Sequence, residues 1–212
     1  MKLYFVRHGE SEANILHVIS NRGWVHPLTE KGRQQARDLA NRLKDAGIAR
    51  IYTSPLCRAV QTAEILSQIL GVEFEITDAL REFDCGIAEG RADTQAWQLH
   101  AWVTEEWAVH HRWESRIQGG ESCLDLRSRF LPLVNGLVKD YAVSSVNGDT
   151  DHHYVLIGHG ALYYHMLTQT LVNLPSHFEG PFPNTGYVLA EARPEGLVCL
   201  EWCGIKIDTG GL

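Results

Sequence analysis

Short apolar runs alternate with helical stripes along most of this chain. Leu3-Tyr4-Phe5-Val6 is a continuous apolar run, the pattern of a strand buried on both faces. After Thr29, a suitable N-cap, apolar residues fall at Ala36, Leu39, Ala40, Leu43 and Ala46, a helical stripe closed by Gly47. Arg50 to Thr53 reads as a strand, and Ser54-Pro55 opens a second helix with the stripe Ala59, Ala63, Leu66 and Leu70, ended by Gly71. Val72 to Thr77 alternates with a period of two, the mark of a half-exposed strand. Strand, helix, strand, helix, strand predicts an α/β fold with parallel pairing.

The pattern changes at residues 91–118, which hold four of the six tryptophans and predict a helical insertion laid over the main body. Ser122, with Asp125 three residues on, caps a further helix with the stripe Leu126, Phe130, Leu133 and Leu137. Pro132 lies inside that stripe and predicts a kink or split. Residues 146–151 read as a polar loop. Tyr154 to Ile157 forms the next buried strand, followed by Gly158-His159-Gly160 and a helix through about Val172. A strand pair near Gly186–Ala190 and Leu197–Trp202 completes the pattern. Together these elements predict a three-layer α/β/α domain over 1–212, with a mostly parallel central sheet and the 91–118 insertion over the active site.

Composition narrows the functional classes. The chain has 212 residues, 44% hydrophobic and 21% charged, with a formal charge of −7. That balance argues against a nucleic-acid or anionic-membrane partner, either of which needs a basic face. The five cysteines are odd in number and lack a C-x-x-C pair, which fits a reduced, cytoplasmic protein. No segment reaches the ~18 apolar residues of a membrane helix. The run Leu3–Val6 is too short for a signal peptide.

Ligands of such sheets bind beyond the carboxyl ends of the strands. Arg7-His8, Ser54 with Arg58, Glu82, and His159 follow successive strands and would share one rim. Arginine forks match phosphate oxygens, and a neutral imidazole is a competent nucleophile. Gly9 would let the backbone turn beneath a phosphate. The pairs His110-His111 and His152-His153 lack carboxylate or cysteine partners at ligand spacing and read as solvated surface, so no metal or cofactor is expected. Core packing is favoured for any one of Trp97, Trp102, Trp107 and Trp113, with an aromatic substrate wall as the alternative.

VRHGESEAN (6–14), PLTEKGRQQA (27–36), YTSPLCRAVQTA (52–63), LREFDCGIAEG (80–90), GGES (119–122) and VLIGHG (155–160), in that order, resemble the histidine phosphatase superfamily, which includes cofactor-dependent phosphoglycerate mutases. The resemblance implies that His8 attacks phosphorus and that Arg7, Arg58 and His159 hold the phosphoryl oxygens. It implies that Asn14 donates to the same oxygens and that Glu82 protonates the leaving alcohol and later activates water. Asp84 and Glu89 stand near Glu82 as alternatives. Ser11, Gly160 and Gly23 complete the expected phosphate-binding wall, and Arg112 and Arg116 are candidates for a second anionic group on a small phosphorylated substrate.

Where the mutase pattern has His-Tyr-Gly after the glutamate, this chain has Phe83-Asp84-Cys85-Gly86, and it lacks the Lys-rich tail of the mutases. His26 replaces an aspartate, and Ala88 replaces an aromatic residue, of the family pattern. The favoured expectation is hydrolysis of a phosphate monoester through a phosphohistidine. The alternatives are a mutase-type phosphotransferase and a non-catalytic phosphate-binding module. Monomer and homodimer are both left open.

Overall fold

The computed structural model describes residues 1–146, 152–174 and 182–209. Its central sheet has seven strands among those residues: β1 (Lys2–Arg7), β2 (Ile48–Thr53), β3 (Phe74–Ile76), β4 (His153–Gly158), β5 (Tyr187–Arg193), β6 (Gly196–Trp202) and β7 (Ile205–Lys206), in the order β3-β2-β4-β1-β5-β6-β7. β3, β2, β4 and β1 pair parallel, whereas β5, β6 and β7 add an antiparallel edge. Six α-helices flank the sheet: α1 (Glu12–Leu16), α2 (Glu30–Leu43), α3 (Cys57–Leu70), α4 (Thr94–Ala108), α5 (Cys123–Val146) and α6 (Gly160–Thr170). The α/β fold with a mostly parallel centre thus follows the sequence pattern.

Strand alternation divides the core in two. Leu3 and Phe5 of β1 point to a cluster with Phe130, Val134, Leu162 and Trp107, and so face α4, α5 and α6. Tyr4 and Val6 point the other way, to Ala36, Leu39, Ala59 and Leu66 of α2 and α3. A strand covered on both sides has no polar face, which explains the unbroken apolar run at Leu3–Val6.

Several boundaries differ from the sequence expectation. α3 starts at Cys57, because Ser54 is buried and its Oγ accepts from the Leu56 amide at 3.3 Å. α5 runs through Pro132 without interruption. Leu126, Phe130 and Val134 are fully buried around that point and hold its path. The 91–118 segment is helical only over Thr94–Ala108. Beyond Ala108 the chain turns back on the helix end: Arg112 N donates to Glu106 O at 2.9 Å, Trp107 Nε1 donates to Ser115 O at 2.8 Å, and His111 takes φ 53. α1 has no counterpart among the predicted elements. Residues 147–151 of the expected polar loop lie outside the described residues.

Among the described residues, no helix is long and apolar enough to cross a membrane.

Candidate active site

β1 and β4 are parallel neighbours with Arg7 opposite Gly158. Their carboxyl ends therefore set His8 beside His159, with ring centroids 5.1 Å apart. Arg58 enters from the first turn of α3, and Glu82 from the loop after β3. These four join Arg7, Asn14 and Gly160 in lining one cavity of about 420 Å³.

Hydrogen bonding fixes the state of His8. Its Nδ1 lies 2.7 Å from the carbonyl oxygen of Gly9, which accepts only, so Nδ1 carries the proton. Nε2 is left with the lone pair, and Arg58 Nε–H donates to it at 3.1 Å. Three more of the five Arg58 N–H donors are also used. One terminal nitrogen donates to Ser20 O at 2.6 Å; the other reaches Asn21 Oδ1 and His159 Nδ1, each at 3.3 Å. His159 Nε2–H then faces Ser54 Oγ at 2.8 Å. One guanidinium thus sets both imidazoles, each acting as acceptor on the side that meets Arg58.

Burial, and then the charges of Arg58 and Arg7, hold the His8 pKa well below its ordinary value; burial and Arg58 do the same at His159. Both rings are therefore neutral at neutral pH. Desolvation lowers the Arg58 pKa to about 10, which leaves it cationic. Arg7 donates through one terminal nitrogen to Phe182 O at 2.6 Å, while its buried Nε–H has no partner among the described residues. A buried unpaired N–H beside a polar cavity is a donor awaiting an acceptor.

Glu82 is buried, and its carboxylate meets the start of α6. Leu162 N donates to Oε1 at 2.8 Å and Ala161 N to Oε2 at 3.0 Å; Phe83 N also reaches Oε1 at 3.0 Å. Those amides favour the anion, yet desolvation outweighs them and raises the pKa. The alternatives sit elsewhere. Asp84 is held by Arg22 at 2.6 Å and by Gly86 N at 2.7 Å. Glu89 accepts from Cys85 N and Asn21 N at 2.8 and 2.9 Å. Neither lines the cavity.

The other candidates divide. Asn14 Oδ1 accepts from Ser11 N, Ser11 Oγ and Asn184 Nδ2, so its own amide nitrogen is the end left for a ligand. Ser11 is fully buried and serves as the partner of Asn14, outside the cavity lining. Gly23 sits in a turn at φ 70, also outside the lining. Arg112 pairs with Glu106 at 3.0 Å and Arg116 with Asp125 at 3.1 Å, in the non-helical stretch after α4, and neither lines the cavity. Gly9 approaches the backbone of Gly32 at the start of α2, where a Cβ would collide with the Gly32 carbonyl. Its smallness thus serves packing against α2.

Nine lining residues lay outside the sequence-based set: Ala13, Val18, Ile19, Ser20, Asn21, His100, Ala161, Tyr164 and Phe182. Trp97, read from the sequence as core with a substrate wall as the alternative, lines the cavity. Ser20 and Asn21 occupy an irregular loop with no periodicity to read. His100 stands three residues after Trp97 on α4 and shares its face, the pattern that ties it to the tryptophan flagged from the sequence.

Comparison with known proteins identifies the family. The family model of the histidine phosphatase superfamily (branch 1) matches residues 3–204. A protein of Cronobacter sakazakii named "Probable phosphoglycerate mutase GpmB" is 34% identical over 180 residues, covering 84% of this chain and 78% of that protein. Its namesake in Proteus mirabilis is 33% identical over the same shares. Among solved structures, a mycobacterial glucosyl-3-phosphoglycerate phosphatase superposes with TM-score 0.78 at 25% identity, covering 95% of this chain and 98% of its own. Bacillus stearothermophilus YhfR does so with TM-score 0.76 at 26% identity, covering 96% of each. An alpha-ribazole phosphatase from Shigella flexneri shares the fold, with TM-score 0.70 at 21% identity over 99% of this chain and 100% of its own. With a family model spanning nearly its whole length and these relatives beside it, the chain belongs to the histidine phosphatase superfamily.

Proposed function

We propose that the protein is a phosphatase that hydrolyses a phosphate monoester through a phosphohistidine on Nε2 of His8. The observation that carries this reading is the bond from His8 Nδ1 to Gly9 O, which leaves Nε2 as the basic nitrogen in a cavity with two guanidinium groups. Its lone pair is held by Arg58 Nε–H, which must release it as phosphorus approaches.

In the first step Nε2 attacks phosphorus, the N–P bond forms and the P–O bond to the alcohol breaks. Protonated Glu82 gives its proton to the departing oxygen, which its raised pKa allows. Arg58, Arg7 through its unpaired Nε–H, Asn14 Nδ2 and His159 stabilise charge on the three phosphoryl oxygens. In the second step the Glu82 carboxylate takes a proton from water, the water oxygen attacks phosphorus, and the N–P bond breaks. Phosphate leaves, and both His8 and Glu82 regain their starting states. Ser54 completes the arrangement, since its hydroxyl can accept from His159 Nε2–H or donate to a bare Nε2. It therefore also supports the other His159 tautomer, in which Nε2 has lost its proton to water, Nδ1 has gained one from water, and Nδ1–H meets the phosphate in place of Arg58.

Hydrolysis is favoured over mutase chemistry by the cavity's charges. Among the described residues Arg7 and Arg58 are its only lysine or arginine side chains, and both belong to the phosphoryl end. The names of the curated relatives favour the second reading, a phosphoglycerate mutase. Phosphate release from p-nitrophenyl phosphate, compared between wild type and His8→Ala, tests the first. Release that depends on His8 is expected, and equal rates would overturn it. Bisphosphoglycerate-primed interconversion of 2- and 3-phosphoglycerate faster than phosphate release would establish the mutase instead.

A further inference from the structure

The cavity has a second half that the phosphoryl chemistry does not use. Besides the residues of the phosphoryl site, its lining includes a wall of Val18, Trp97, His100, Tyr164 and Phe182. A volume of about 420 Å³ is in the range that takes a ligand much larger than phosphate.

Trp97 is held in place. Its Nε1–H donates to His17 O at 2.9 Å, and its ring lies against those of His17 and His100, with centroids 4.3 and 5.2 Å away. The His100 ring packs in tilted contacts with Trp97 and Phe83, and no hydrogen bond from a described residue reaches its ring nitrogens. Burial lowers its pKa to about 4, so this imidazole is neutral and can both donate and accept. Nearby arginines are already engaged: Arg91 by Asp93 at 2.8 Å, Arg112 by Glu106 and Arg116 by Asp125. The segments 147–151, 175–181 and 210–212 contain no lysine or arginine, so they supply no further such cation. Ala161 and Tyr164 also border an apolar groove between α4 and α6, which extends the wall outward.

We infer, resting on the phosphatase reading, that this wall is a leaving-group subsite for a flat, uncharged, aromatic alcohol, with Trp97 against its face and a His100 ring nitrogen on its polar edge. The preferred substrate then carries one phosphate and no second anionic group. A carboxylate or second phosphate at this wall would be desolvated with no lysine or arginine to meet it.

The test compares benzyl phosphate, propyl phosphate and 3-phosphoglycerate as substrates, chosen because all three leave as alkyl alcohols. Wild type is expected to favour benzyl phosphate over each of the others by about tenfold or more in kcat/KM, a margin of about 1.4 kcal/mol. Trp97→Ala should collapse the benzyl-to-propyl ratio, and Trp97→Phe, which keeps a ring, should retain much of it. His100→Ala should lower the preference for 3-hydroxybenzyl over benzyl phosphate. Calorimetric binding of the same esters to His8→Ala gives a readout independent of turnover, and the same order is expected there. Binding of 3-phosphoglycerate as tight as that of benzyl phosphate, or a ratio unmoved by Trp97→Ala, would overturn the subsite. Absence of His8-dependent hydrolysis of every ester would instead overturn the phosphatase reading, and the binding order would still decide the subsite.

Discussion

At the floor of the cavity Arg58 hydrogen-bonds Ser20, Asn21, His8 and His159 at once, whereas on the Trp97 wall the His100 ring nitrogens bond no described protein group. The floor stands on strand ends and helix starts, which the sheet holds rigidly. The wall draws on several elements: Trp97 and His100 sit on α4, which ends at Ala108 and returns through an irregular stretch, Tyr164 on α6, and Val18 and Phe182 in loops. Fixed geometry suits a transition state whose charge is the same for every ester. A wall with open hydrogen-bonding capacity suits the part of the substrate that differs between esters. On the proposed function, the contrast would assign rate to the floor and selectivity to the wall.

Breaking the floor should give the largest effect. Arg58→Ala is expected to lower kcat roughly 1,000-fold, the upper end for loss of one transition-state donor, because both imidazoles lose their partner as well. Arg58→Lys should not restore it, since one ammonium cannot serve four acceptors; steady-state assays on both variants decide. Glu82→Gln should cost roughly 100-fold, the typical size of general acid-base catalysis. It should also change the pH profile. Wild-type activity should fall as pH rises through the raised Glu82 pKa, and that alkaline limb should vanish in the variant.

Smaller effects sharpen the same contrast. Ser54→Ala removes a buried bond to His159 and should reduce kcat about fivefold, in line with ~1 kcal/mol for such a bond. Trp97→Ala should leave the thermal midpoint nearly unchanged, because Trp97 is only partly buried. Trp107→Ala, in the core of the same helix, should cost about 3–5 kcal/mol, measured by denaturant unfolding.

Stability beneath the wall should depend on acid. His165 is buried against Trp107, and burial, then His100, lowers its pKa to about 4. The unfolded chain takes up that proton near pH 6.5 and the folded chain only near 4. Its contribution is therefore complete above 6.5 and lost as pH falls towards 4. Unfolding midpoints of His165→Leu should decline less steeply than wild type across that window.

The floor was legible because the order of elements alone brings it together. Arg7, His8, Arg58 and His159 each follow a strand of a parallel sheet, and such strands end on one rim. Glu82 was less so, since only the family resemblance separates it from Asp84 and Glu89; burial against the α6 amides is a tertiary fact. Arg112 and Arg116 illustrate the opposite error. A helix continued to residue 118 makes them plausible pocket residues, but the chain breaks at Val109 and returns them to acidic partners. Ser20 and Asn21 act through a loop whose shape is set by Glu89 and Arg58, which no local pattern announces.

The close approach of Gly9 to Gly32 has a consequence at the level of inheritance. Gly32 lines no part of the cavity, yet any side chain there would strike the backbone of Glu10 and push on the loop that carries His8. In a survey of random variants, Gly32 should behave like an active-site position: null alleles would gather at a residue no ligand ever meets.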